Sequence, residues 1–119
     1  MTLSVHTFVY DEHGRSRLLD APEDGSDMAG TEICRTTLWG SDAARTLGAR
    51  FLPELATGDL YVEPEDVVDF LAECELLHRN AATLAGGDDA RRDYVVARLA
   101  NITRAALRAR AVGGGVLVW

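Results

Sequence analysis

The strongest constraint on the fold is a pair of long amphipathic segments separated only by Gly86-Gly87. In the first, about 64–85, Val67, Phe70, Leu71, Cys74, Leu77, His78, Ala81 and Ala85 fall in one stripe when wound at about 100° per residue. Pro64 suits the first helical position, where its missing amide hydrogen costs nothing. In the second, about 89–111, the stripe is Val95, Val96, Leu99, Ile102, Thr103, Ala106 and Leu107, with Asp88 or Asp89 as the cap. So short a connection forces the helices into an antiparallel hairpin. Each must bury its apolar face against something else.

The ends of the chain supply that surface. Leu3, Val5, Thr7 and Val9 alternate with Ser4, His6, Phe8 and Tyr10, the period of a strand. Asp11-Glu12-His13-Gly14 makes a turn, and Arg17-Leu18-Leu19 can return as a hairpin partner. Residues 20–30 carry no periodicity and read as an exposed, mobile loop. Thr31–Trp39 alternates well enough to predict a strand. Ser41 is a natural N-cap for a helix over about 42–51 that buries Ala44, Leu47 and Phe51. Leu60-Tyr61-Val62 is a brief strand. After Gly113-Gly114-Gly115, Val116-Leu117-Val118-Trp119 is apolar on both faces, as an interior strand is. The last strand is expected beside the first or the third. The sequence thus predicts one α+β domain over 1–119: a two-layer fold whose mostly antiparallel sheet packs on a helical hairpin and one shorter helix.

Charge narrows the function. The 119 residues carry a net charge of −7, which disfavours a nucleic-acid binder, because phosphate contacts need a basic surface. All twelve bases are arginine, a bias that with abundant alanine suggests a GC-rich bacterial genome. Residues 1–75 hold sixteen acids and five arginines, whereas 76–119 hold three acids and seven arginines. The chain is therefore electrically bipolar. No apolar run reaches the roughly 18 residues that cross a bilayer, and the start resembles no signal peptide, so a cytoplasmic location and no membrane partner are expected.

Chemistry-bearing motifs are sparse. Cys34 and Cys74 lie 40 residues apart in no CxxC pair, so two reduced thiols are expected. Cys74 and His78 share a helix face and could hold a metal with Cys34, yet a buried cysteine beside a packing histidine explains the same letters. Asp11-Glu12-His13 sits at a solvated turn. No cysteine-phosphatase loop, nucleophile elbow, Walker loop or Gly-x-Gly-x-x-Gly occurs, and Gly113–Gly115 precedes a strand, the wrong order for a phosphate cradle. No cofactor, metal site or catalytic residue is implied. A small enzyme or ligand-binding domain built around Cys34, Cys74 and His78, or an oligomer subunit, stands as the alternative.

The acidic region is the better candidate. Asp59, Glu63, Glu65, Asp66, Asp69, Glu73 and Glu75 come without one base between them. Asp66, Asp69 and Glu73 are spaced to line one helix edge, and repulsion between Asp69 and Glu73 costs a few tenths of a kcal/mol, so helix stability does not explain them. A solvated helix face and an anionic docking surface for a basic protein both fit; binding residues would be Asp59, Glu63, Glu65, Asp66, Asp69 and Glu73. Val68 and Leu76, off the apolar stripe, would be rim contacts. Arg98, Arg104 and Arg108, with Arg91 near their edge, would pair with the acidic helix beside them. Opposite charge on successive helices also suits a symmetric homodimer.

Cys34-Arg35-Thr36-Thr37-Leu38-Trp39-Gly40-Ser41, Leu52-Pro53-Glu54-Leu55, Leu60-Tyr61-Val62 and the Gly-Gly-Gly-Val-Leu-Val-Trp ending resemble small acidic proteins of GC-rich bacteria. In size, acidity and α+β pattern these are similar to immunity proteins of bacterial toxin systems. The resemblance implies a role in binding and neutralising a toxin, and transfers no individual residue.

Overall fold

A computed structural model describes residues 2–20 and 26–119. Alternating residues make β1 (Thr2–Tyr10), and the Asp11–Arg15 turn returns the chain to β2 (Ser16–Leu18). The Asp11 carboxylate accepts from the amides of His13 and Arg15, which holds that turn. Then follow β3 (Met28–Thr31), α1 (Asp42–Leu47), β4 (Leu60–Val62), α2 (Val67–Arg79), α3 (Ala81–Leu84), α4 (Asp89–Val112) and β5 (Gly115–Val118). The sheet is antiparallel throughout, in the order β2-β1-β5-β4. A fifth strand, β3, pairs with the start of β1. The last strand therefore lies beside the first, with His6 opposite Leu117 and Phe8 opposite Gly115.

The two layers form as the sequence demands. Leu3, Val5, Leu60, Val62, Val116 and Val118 point from one sheet face into a core completed by Val67, Phe70 and Leu77 of α2 and Val95, Leu99, Ile102 and Ala106 of α4. The Thr7 hydroxyl, on the same face, donates to the Ala105 carbonyl at 2.7 Å, which allows a polar group at this depth. Ser41 caps α1 by accepting from the Ala44 amide, and Asp88 caps α4 by accepting from Arg91. Among the described residues no helix is long and apolar enough to cross a membrane.

Several expectations need correction. Residues 31–39 form no strand beyond Thr31: a π-helical turn covers Arg35–Trp39. The Thr36 and Thr37 hydroxyls donate back to the Ile33 carbonyl, and the Trp39 indole donates to the Ala29 carbonyl at 2.9 Å. Side chains that reach local backbone offer an alternative to a strand ladder. The expected loop at 20–30 contains β3 at its end; residues 21–25 lie outside the described residues. The helix expected to reach residue 51 stops at Leu47, because Gly48 takes the left-handed conformation (φ 111°). The long helix expected over 64–85 is three pieces. Pro64–Asp66 is a 3-10 turn, and the Asn80 side chain donates to the Leu76 carbonyl where α2 gives way to α3.

Candidate functional site

The helix α4 packs on the core side of the sheet centre, and among the described residues no helix covers the opposite face of β1, β5 and β4. Strand alternation decides what it displays. His6, Phe8 and Tyr10 come from β1, Leu117 from β5 with Trp119 just beyond it, and Tyr61 from β4. Phe8 anchors the patch. Its ring meets Tyr10 edge-on at 5.4 Å and Tyr61 at 6.4 Å between centroids, and it lies over Gly115. A Cβ on Gly115 would collide with the Val62 carbonyl and the Phe8 ring, so only glycine lets the ring settle there. Phe8 is consequently 1% exposed, while Tyr10, Tyr61 and Trp119 keep 46%, 59% and 48% of their surface in solvent.

The polar tips of this face hold one another. The Tyr10 hydroxyl donates to Glu63 Oε2 at 2.7 Å, and that carboxylate holds the phenol above its ordinary pKa, with Glu65 adding to the effect. The Trp119 indole donates to His6 Nδ1 at 3.1 Å, and the rings meet edge-on at 6.1 Å. A neutral His6 must then carry its proton on Nε2, which faces Asp27 Oδ2 at 3.7 Å. The result is an aromatic surface with Tyr10 and Trp119 held at their polar tips and acids on its border.

The acids singled out by sequence separate into groups. Glu63 and Glu65 stand beside this face. Asp59 follows the same strand alternation, but its carboxylate is bound by Arg35 Nη2 at 2.9 Å, and Arg35 also holds Glu32 and the carbonyls of Leu55 and Gly58. Asp66 is half-buried and Asp69 is exposed on α2. Glu73 departs from the expectation of an exposed edge. It is 7% exposed and turned inward, where its carboxylate accepts from the amides of Arg50, Phe51 and Leu52. The chain leaving α1 points these donors at the flank of α2, and one carboxylate satisfies all of them. Glu73 is a fastening between elements, not part of a docking edge.

The arginines of α4 also differ from expectation. None makes an ion pair with α2 among the described residues. Arg91 donates to the Thr37 carbonyl, Arg98 lies over the Tyr94 ring at 4.9 Å, Arg104 donates to Asn101 Oδ1, and Arg108 to the Asp20 carbonyl.

Cys34 lies apart from Cys74 and His78, which both line the groove between α2 and α4. Cys34 is buried near Thr31 and the Tyr94 hydroxyl, in the wall of a cavity of about 310 Å³. Cys74 is buried in the seam between α2 and α4, where desolvation pushes its thiol pKa up to about 12. A thiol held protonated is a poor nucleophile at neutral pH. His78 was expected in the buried stripe and is instead exposed. Both cysteines are free thiols, and among the described residues no three His, Cys, Asp or Glu side chains gather as metal ligands.

Sequence reasoning missed Tyr61 and Trp119 as surface groups, although a signal existed. Asp59 and Glu63, flanking β4, alternate with Tyr61 at its centre, which marks a polar and aromatic face on a strand whose other residues are Leu60 and Val62. No family model, curated protein or solved structure matches the chain.

Proposed function

We propose that the protein is a non-enzymatic protein-binding domain that docks a basic partner on the open sheet face, with Tyr10, Tyr61 and Trp119 as contacts and Glu63 and Glu65 as the anionic border. The observation that carries this reading is the set of half-exposed aromatic rings packed around a buried Phe8 on an uncovered sheet face. Aromatic side chains supply large contact area at low conformational cost, and rings already fixed by neighbours lose little freedom on binding. Acids on the border favour approach of a positively charged surface and make the association rate salt-sensitive. A basic toxin is the partner class that the resemblance to immunity proteins implies, and the cytoplasm is where such a domain would meet it.

A photo-crosslinking amino acid at position 61, compared with one at the exposed Ala82 on α3, tests the reading in cells of the source organism. Position 61 should yield discrete adducts with a basic protein, lost when Glu63→Gln and Glu65→Gln are combined. Adducts of equal yield and identity from both positions would show that the open face has no special role.

A further inference from the structure

A second surface lies on the other side of the molecule. The outer edges of α2 and α4 leave an open groove of about 660 Å³. One wall carries Val68, Leu71, Ala72 and Glu75; the other carries Ala100, Thr103, Arg104 and Leu107. Both sets have the spacing i, i+3, i+4, i+7, so each wall is one continuous helix stripe. The stripes are largely apolar, yet Val68 is 67% exposed and Leu107 42%.

Charge on the two walls is unequal and unpaired across the groove among the described residues. Residues 59–75 contain no base, and residues 94–119 contain no acid. No ion pair crosses from α2 to α4 among the described residues; Glu75 has only an exposed contact to Arg79 at 3.6 Å. One wall therefore offers an acid, and the other Arg104 with Arg110 beyond it.

From this geometry we infer that the groove seats a second copy of the chain, related by a twofold axis running along the groove. Such an axis lays α2 of each copy over α4 of the other. Because the helices run antiparallel, Glu75 comes opposite Arg104 of the second copy, and Val68 opposite Leu107. An axis across the groove would instead lay α4 on α4 and bring arginines together, which like-charge repulsion disfavours. A twofold contact is self-complementary, so every pairing is made twice. The stripe from Val68 to His78 is about 15 Å long at 1.5 Å per residue, a small footprint. It suits a dimer that forms in the micromolar range and weakens with salt. The open sheet face lies on the opposite side, so the dimer leaves both copies of it free.

A charge-swap experiment tests both the occupant and its orientation. Sedimentation from about 5 to about 500 µM in low salt should show a monomer–dimer equilibrium for the wild type, within the micromolar range of weak interfaces. Glu75→Arg alone and Arg104→Glu alone should each raise the dissociation constant about tenfold or more. An equimolar mixture of the two variants should dimerise again, because one contact is native and the other is reversed. Both positions are solvent-exposed, and circular dichroism will show that the variants stay folded. A wild type that remains monomeric overturns the inference and leaves the groove to another occupant. Single swaps without effect, or a mixture that stays monomeric, overturn it as well. None of these outcomes depends on the sheet-face partner.

Discussion

The two faces of one sheet follow opposite rules, although neighbouring residues of the same strands build them. On the covered face Leu3, Leu60, Val62, Val116 and Val118 are at most 1% exposed and belong to the apolar core shared with the helices. On the open face Phe8 and Leu117 are sealed, at 1% and 6% exposed, and the aromatic groups around them are half-wet, with Tyr10 tied to Glu63 and Trp119 to His6. Burial of aliphatic area drives folding in proportion to the surface removed from water. The open face withholds that area from the core and keeps it ordered. A surface that is both exposed and ordered is what binding requires, since the ordering cost has already been met during folding.

Adjacent residues on β4 give the largest test of this contrast. Leu60→Ala removes a buried side chain and leaves a cavity between sheet and helices, and should cost about 2–5 kcal/mol in urea unfolding. A cost under about 1 kcal/mol would mean that the core at β4 is not closed.

Glu73 sharpens the comparison within the acidic region. Glu73→Ala strips the acceptors from three backbone amides, and should cost about 2–4 kcal/mol in the same assay. Asp69→Asn, one turn away and exposed, should stay within about 0.5 kcal/mol of wild type. Equal effects would place the two carboxylates in the same surroundings.

Cys74 reports on the dryness of the covered side through pH. Its thiol rises from 9.0 to about 12 on burial, so folding favours the protonated form. The stability this confers is fully present below pH 9 and is lost as pH rises towards 12. The difference in unfolding free energy between wild type and Cys74→Ala should therefore shrink by about 1.4 kcal/mol from pH 7 to pH 10. A constant difference would show the thiol to be solvated. Alkylation of native protein at pH 8 should likewise be slow at Cys74 and accelerate in urea.

The division into faces was legible where local pattern and tertiary demand agree. The alternation of β1, the Ser41 and Asp88 caps and the apolar β5 all needed only near neighbours to be read. Where a distant group decides, the sequence was silent. The Thr31–Trp39 alternation looks like a strand until the Ala29 carbonyl is seen to hold the Trp39 indole. Glu73 looks like one more acid of a run until the chain after α1 turns three amides towards it. The aromatic surface draws on strands from the start, the middle and the end of the chain, so no window of sequence contains it.

The smallest expected effect is the most diagnostic of function. Tyr61 shares a strand with Leu60 and is far larger than alanine, yet its ring is 59% exposed and meets Phe8 only edge-on. Tyr61→Ala should change unfolding free energy by no more than about 1 kcal/mol, the scale of an edge-on aromatic pair with little area burial. Binding to a partner captured through position 61 should respond much more, because central aromatic contacts commonly account for about 2 kcal/mol or more of an interface. The pair of measurements separates two uses of one side chain. A Tyr61→Ala variant that unfolds several kcal/mol more easily would move the ring into the stability of the fold. A variant as stable as wild type that binds a captured partner equally well would leave the open face as wetted aromatic surface, and its acids as simple solvation.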